Sequence, residues 1–381
     1  MKKTMLVAGV LAASATVAQA GGIDRSGQSI GILFEKGRFA ELSLGTVNPS
    51  VSGRDRTPAI PNVLPGPQSV GSVADRYTQI GLGYKYDINE KVSFALIIDQ
   101  PFGADILYGS SSPFLGGTSA FAKATAVTGL LRYKFNDAFS VHGGIKAQRS
   151  SAFIRLQGLA YGGLSGYNVA LSTDTAPGYV VGAAFEKPEI ALRVALTYQS
   201  EIKHEFDSVE NGLPGPLAAL NGVPGTTNVN TPQSVNLDFQ TGVAKDTLVF
   251  GQIRWVDWSN FKLSPFGFDA ATTASAGTSL INLEDTTTYT LGVGRRFNET
   301  WAGSISFSYE DKGNTNVSPL APTAGRMGVT LAGVYTKGNM KVTAGVNYTK
   351  LGDATAVTAV PAADMTDNSA LGVGIKVGFS F

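Results

Sequence analysis

The chain has 381 residues, and its 30 Lys and Arg nearly balance 29 Asp and Glu, for a formal net charge of +1. No basic excess marks a nucleic-acid surface, and with 0 cysteines there are neither disulfides nor thiolate metal sites. Apolar residues make up 43% and charged ones 15%; no run of roughly 18 uncharged apolar residues follows the N-terminus, which excludes membrane-spanning helices.

From the N-terminus, Lys2 and Lys3 precede an apolar run from Met5 to Val17 and the small-residue site Ala18-Gln19-Ala20. This predicts a secretory signal peptide over 1–20 rather than a membrane anchor. Segment 21–38 comes next. Its Ile30, Ile32, Leu33 and Phe34 make it a candidate apolar plug, or hatch, with a frayed leader to the first strand as the alternative.

From Phe39 to Phe381 the pattern reads as fourteen alternating segments, joined by six tight turns and seven long loops in strict alternation. The turns are 87–90, 135–137, 187–189, 245–246, 297–299 and 337–339, built on Asn, Asp, Gly and Pro. Tyr84, Tyr86, Tyr133, Phe135, Phe139, Phe297, Trp301 and Tyr335 crowd them, as an aromatic girdle at a membrane interface would. The long loops are expected at 51–75, 101–120, 156–177, 208–231, 263–285, 311–325 and 351–369. The last strand is the clearest: Leu371, Val373, Ile375, Val377, Phe379 and Phe381 share one face, while Gly372, Gly374, Lys376, Gly378 and Ser380 share the other.

Short turns on one side and long loops on the other describe an all-β, transmembrane antiparallel barrel of the bacterial outer membrane, spanning 39–381. A connection series that begins and ends with a long loop requires an even strand number, with both chain ends on the short-turn side. A soluble two-sheet sandwich would not need strands of about ten residues with glycine and charge on the second face. A solenoid would show a fixed repeat, and none is visible.

The stretch 191–203, Ala-Leu-Arg-Val-Ala-Leu-Thr-Tyr-Gln-Ser-Glu-Ile-Lys, resembles a signature strand of the long-chain fatty acid transporter (FadL/TodX-like) family. Trp255-Val256-Asp257-Trp258-Ser259-Asn260-Phe261, Thr290-Leu291-Gly292-Val293-Gly294, Asn298-Glu299-Thr300-Trp301 and Tyr309-Glu310-Asp311 agree with it in order. The resemblance covers 39–381 and implies a fourteen-stranded barrel, plugged by an N-terminal hatch, that passes hydrophobic molecules across the outer membrane. Two features depart from the family pattern. The segment before the first strand is short and lacks the Asn-Pro-Ala motif, and 263–294 contains no Lys or Arg to supply the family's second cation.

The resemblance implies that Arg155, after Phe153 and Ile154 at the end of the fifth strand, holds a substrate carboxylate; the alternative is a lumen arginine paired with a neighbouring carboxylate. The third and fourth loops are unusually apolar. Leu156, Leu159, Tyr161 and Leu164 in one, and Leu213, Leu217 and Leu220 in the other, are candidate substrate contacts. The alternative is that these loops simply pack on one another. Gln100-Pro101-Phe102-Gly103 ends the third strand, where proline removes a ladder donor and glycine permits a bulge. In the resembling family this place opens the wall sideways, which makes Pro101, Phe102 and Gly103 candidates for a lateral opening, with an ordinary strand end as the alternative. Asp238, Glu201, Lys203, Glu205, Lys146, Arg132 and Lys376 are expected to form a lumen ion-pair network.

His142 and His204 are the only imidazoles, and no Gly-x-Ser-x-Gly elbow or nucleotide loop occurs, so no catalytic, metal or cofactor site is expected. The reading is passive uptake of hydrophobic small molecules by a monomer among outer-membrane lipids, with a general polar porin as the alternative.

Overall fold

The computed structural model describes residues 23–272 and 279–381, in which fourteen antiparallel strands close into a barrel. The expected signal peptide, 1–20, and the first two residues of segment 21–38 lie outside the described residues. The barrel strands are β1 (Phe39–Asp55), β2 (Tyr77–Asp87), β3 (Val92–Asp99 with Gly103–Leu107), β4 (Ser119–Lys134) and β5 (Phe139–Arg155). Then come β6 (Asn168–Lys187), β7 (Leu192–Gln199 with Ile202–Asn211), β8 (Pro224–Thr231 with Ser234–Ala244), β9 (Thr247–Val256) and β10 (Thr286–Arg296). The last four are β11 (Trp301–Glu310), β12 (Arg326–Lys337), β13 (Met340–Leu351) and β14 (Pro361–Ser380). Each pairs with its sequence neighbours, and β1 pairs with β14 from Phe39↔Ser380 to Asp55↔Ala363. Closure matters physically, because an open sheet edge in lipid would leave backbone donors and acceptors unsatisfied.

The period-two pattern explains the two faces. On β14, Leu371, Val373 and Ile375 are exposed outward, while Gly372 and Gly378 turn inward. The turns share one device: Oδ1 of Asn89, Asn136 and Asn298 each accepts two backbone N–H groups, those of Lys91 and Val92, Ala138 and Phe139, and Thr300 and Trp301. Rings gather at this end, with Tyr133 5.2 Å from Phe135, Phe139 4.9 Å from Phe185 and Trp301 5.0 Å from Tyr335. Toward the loop end, Tyr179 and Tyr198 pair at 5.9 Å, and Tyr289, Tyr309 and Tyr348 are exposed. Two aromatic bands therefore bracket the lipid-facing wall.

Several loops are shorter than expected. β1 runs to Asp55, β3 to Leu107 and β7 to Asn211, while β6 starts at Asn168, β8 at Pro224 and β14 at Pro361. Above the lipid a ladder needs only backbone partners. Segments rich in Gly, Ser and Thr pair there without the apolar alternation that marks a lipid-facing strand.

The lumen network is confirmed in part. Arg132 bonds Glu186, Lys146 bonds Gln28 and Gln199, Asp238 accepts from Gln252 at 2.8 Å, and Lys376 lies 3.6 Å from Glu41. Glu201, Lys203 and Glu205 do not belong to it. Lys203 is 76% exposed and lies 3.7 Å from Glu201, and Glu205 is exposed as well. The reason is a bulge: Arg193, Ala195, Thr197 and Gln199 face inward below Ser200-Glu201, whereas Ile202, His204, Phe206 and Ser208 face inward above it. A one-residue slip moves a whole strand's side chains to the opposite face.

Candidate functional site

The inner face of the upper strands and the loops above them build one apolar cluster. Trp258, Tyr108, Tyr167, Leu115 and Met365 are its fully buried large side chains. Trp258 follows β9 in a single turn of 3-10 helix, Trp258–Asn260, which aims the indole inward between Phe102 at 5.6 Å and Phe261 at 6.1 Å. Such edge-to-face rings combine area burial with favourable quadrupole geometry.

Polar ties hold the loops over the mouth. Glu210 on β7 accepts from Tyr167 Oη at 2.7 Å and from the backbone N–H groups of Gly267 and Phe268, each at 2.8 Å, at the start of the helix Phe266–Ala271. Burial, then Glu210 beside it, pushes the Tyr167 phenol far above its ordinary pKa, so it remains a donor. Tyr108 Oη donates to Pro319 O at 2.9 Å, and Thr358 Oγ1 to Ala160 O at 2.8 Å. The result is a dome of crossed loops.

Below lies the N-terminal segment. Asp24 pairs with Arg254 of β9 at 2.7 Å, and both are buried. Gly27 and Gln28 both have positive φ, which turns the chain so that Gly27 O accepts from Asn236 and Gln28 O accepts from Gln199, each at 3.0 Å. Ile30, Ile32 and Leu33 pack on Phe39, Ala95, Leu130 and Val180 of the inner wall. Phe34 lies between the guanidinium groups of Arg132 at 4.6 Å and Arg193 at 4.4 Å.

The wall itself is interrupted between β2 and β3. Their ladder stops at Leu82↔Ile98, and above it β3 breaks at Gln100-Pro101-Phe102. The lost partners are replaced from inside: Arg25 N donates to Pro101 O at 2.8 Å and Gly103 N to Ile23 O at 2.9 Å. On the β2 side, Gln79 Nε2 donates to Arg25 O at 2.7 Å and Ile80 N to Gln100 Oε1 at 3.0 Å. Arg25 stacks on Tyr77 at 4.0 Å and pairs with Asp105 at 2.8 Å. At Gly103 a Cβ would stand 2.7 Å from the Arg25 guanidinium, so a larger residue would push that side chain aside. A cavity of about 250 Å³ runs beside the N-terminal segment, past Glu35, Arg193, Asp238 and Lys341, and reaches this break. The side chains of Ile80 and Leu82, on the strand that borders it, are exposed on the lipid face.

Of the expected contacts, Leu156 and Leu213 are buried in the apolar cluster, and Tyr161, Leu164, Leu217 and Leu220 pack against it. Leu159 does not join them; it is 55% exposed. Arg155 and Phe153 are corrections too. Along β5, Gln148, Ser150 and Ile154 face inward, as does Leu156 just beyond it, so Phe153 and Arg155 face outward, Phe153 half-buried and Arg155 exposed. Its side chain therefore does not point into the lumen. Pro101 and Phe102 are buried, Phe102 within the cluster. Sequence reasoning missed Arg25, Asp24, Arg254 and Glu210. Arg254 was legible, since it precedes the inward Val256 by two, but no periodicity marks Asp24 or Arg25.

The sequence matches the family described as Outer membrane protein transport protein (OMPP1/FadL/TodX) over residues 33–381. The chain belongs to this family. Its members are outer-membrane transport proteins, and the fold agrees. A FadL homologue from Pseudomonas aeruginosa superposes with a TM-score of 0.74 at 16% identity, covering 96% of this chain and 97% of that one. The Pseudomonas putida toluene transporter TodX gives 0.64 at 12% identity, covering 97% of each chain. The Ralstonia pickettii toluene transporter TbuX gives 0.61 at 15%, covering 92% of this chain and 90% of that one. No curated protein matches the sequence.

Proposed function

We propose that the protein admits uncharged hydrophobic compounds by passive diffusion, gathered under the loop dome and released sideways through the β2–β3 break. The carrying observation is a cavity of about 100 Å³ lined by Val47, Val51, Ile106 and Leu320 of the apolar cluster, which reaches Arg25 and Gly103 at the break. Below the apolar cluster the lumen is lined by charge, and an apolar molecule gains nothing by descending through it. Burying each methylene in the cluster gives about 0.8 kcal/mol, and a lateral path keeps that gain by ending in lipid. The cations at the break are already engaged, Arg25 by Asp105 and Arg254 by Asp24, which favours an uncharged cargo. The relatives that carry toluene support this choice over fatty acids. In this reading segment 21–38 acts as the hatch, residues 1–20 direct export, and one barrel acts alone.

The test is uptake of radiolabelled toluene and palmitate by cells that express the chain. Faster uptake of toluene is expected. A steady large conductance in planar bilayers, with no acceleration of either compound, would return the protein to the polar-pore reading. For the outlet, cysteines at Gln79 and Gln100 bridged by a short bis-maleimide should cut uptake at least tenfold; unchanged uptake sinks lateral release.

A further inference from the structure

The wall has a second interruption, between β6 and β7. Their ladder runs from Leu192↔Lys187 to Gln199↔Val180, and resumes only at Ser208↔Leu171 up to Asn211↔Asn168. Between these, 172–178 and 201–207 share no register pair, and Ser200 N to Tyr179 O at 3.0 Å is the last backbone bond below the gap. The cause is a phase error. β6 changes its inward parity high, at Ser172-Thr173, both exposed between buried Leu171 and half-buried Asp174. β7 changes parity low, at Ser200-Glu201. In the interval the two pleats are out of step by one residue, so facing residues point to opposite sides and cannot exchange ladder bonds. β8 changes parity at Pro232-Gln233, level with β7, since Gln199 pairs with Ser234 and Ile202 with Thr231. The mismatch is thus confined to the β6–β7 seam.

Side chains close it. Nδ1 of buried His204 lies 2.7 Å from Asp174 Oδ2, while Gln148 Nε2 lies 3.2 Å from His204 Nε2 and donates to Thr231 Oγ1 at 3.1 Å. Ile202 fills the lower end against Gly178, where a Cβ would stand 2.6 Å from Ile202 Cγ1. Directly behind the seam stand Phe206, Leu171, Val169 and Val229 of the apolar cluster. The Tyr179–Tyr198 ring pair marks its lower end, and exposed Lys203, Glu205 and Asp207 lie on the outer face above. The seam therefore sits at headgroup level, above the acyl chains.

We infer that the β6–β7 seam is a lateral inlet: uncharged apolar molecules collected in the outer leaflet pass through it into the apolar cluster when the Asp174–His204 bridge parts. This rests on the proposed uptake of hydrophobic compounds and assigns it separate inlet and outlet breaks in the wall.

The chain has 0 cysteines, so a double variant, Asp174→Cys with His204→Cys, provides both states of the seam. Reduced, the seam has no bridge; oxidised, it is locked. Cells carrying the oxidised variant should take up radiolabelled toluene at least fivefold more slowly than the same cells after reductant, with wild type indifferent to both treatments. Equal rates, with the cross-link verified by mass spectrometry, overturn the inlet. Should the variant fail to fold, hydrogen exchange on wild type decides: amides of 172–178 and 201–207 should exchange faster than those of 192–199 and slow when toluene is added. Equal protection, or no response to toluene, overturns it. If wild type does not accelerate toluene at all, the uptake reading fails instead, and the relative exchange rates still report whether the seam opens.

Discussion

At the β2–β3 break a third piece of backbone stands where the ladder is lost: Ile23 and Arg25 bond Gly103 and Pro101 from the lumen side. At the β6–β7 break no backbone intervenes among the described residues, and an imidazole, a carboxylate and a wedged isoleucine span the gap. The first break is held by a segment that can leave as a unit; the second is held by side chains that can swing individually. They also sit in different surroundings. Ile80 and Leu82 put the first against acyl chains, whereas Lys203 and Glu205 put the second among headgroups. Two ways of interrupting one barrel thus yield two thresholds.

The sharpest way to break the comparison is to unseat the first closure alone. Asp24→Leu leaves Arg254 buried without its carboxylate and should cost about 3–5 kcal/mol, released as displacement of the N-terminal segment. Single-channel conductance should rise while the seam's hydrogen exchange stays as in wild type. Trp258→Ala removes the ring that both Phe102 and Phe261 pack on, and should lower stability by about 3–5 kcal/mol in denaturant titration; a smaller loss would mean that the cluster collapses into the space. At the seam, Gly178→Ala drives a methyl group into Ile202 and should cost about 1–3 kcal/mol, with faster exchange over 201–207 but unchanged conductance. Arg155→Ala tests the corrected placement. It should change stability by less than about 0.5 kcal/mol and leave toluene uptake alone; a marked loss of uptake would put that guanidinium back on the substrate path.

The barrel was legible because lipid imposes a simple code. Outward Leu371, Val373 and Ile375 must be apolar, and the Asn turns must close the hairpins. Strand ends were not legible, since above the lipid nothing demands alternation. The same cause misplaced Arg155 and the Glu201–Glu205 charges. Parity has to be counted through bulges, and Ser200-Glu201 carries no residue that announces one. Pro101 and Gly103 did announce theirs. The apolar loop residues Leu156, Leu213, Leu217 and Leu220 converge, as loops that pack on one another would, whereas Leu159 faces solvent. The seat of the N-terminal segment was invisible for a different reason: each of its contacts joins residues far apart in sequence, and no local pattern encodes them.

That seat bears on the order of assembly. Gln79, Asp105, Lys146, Gln199, Asn236 and Arg254, which receive residues 24–28, come from β2, β3, β5, β7, β8 and β9. Long-range contacts form late because chain closure must precede them. The first described residues of the chain therefore find their place only after more than half of the wall has been laid down, and a barrel with a missing or slipped strand offers them no socket. Docking of the N-terminal segment then acts as an inspection of the finished cylinder, performed by a segment that precedes the wall in the chain.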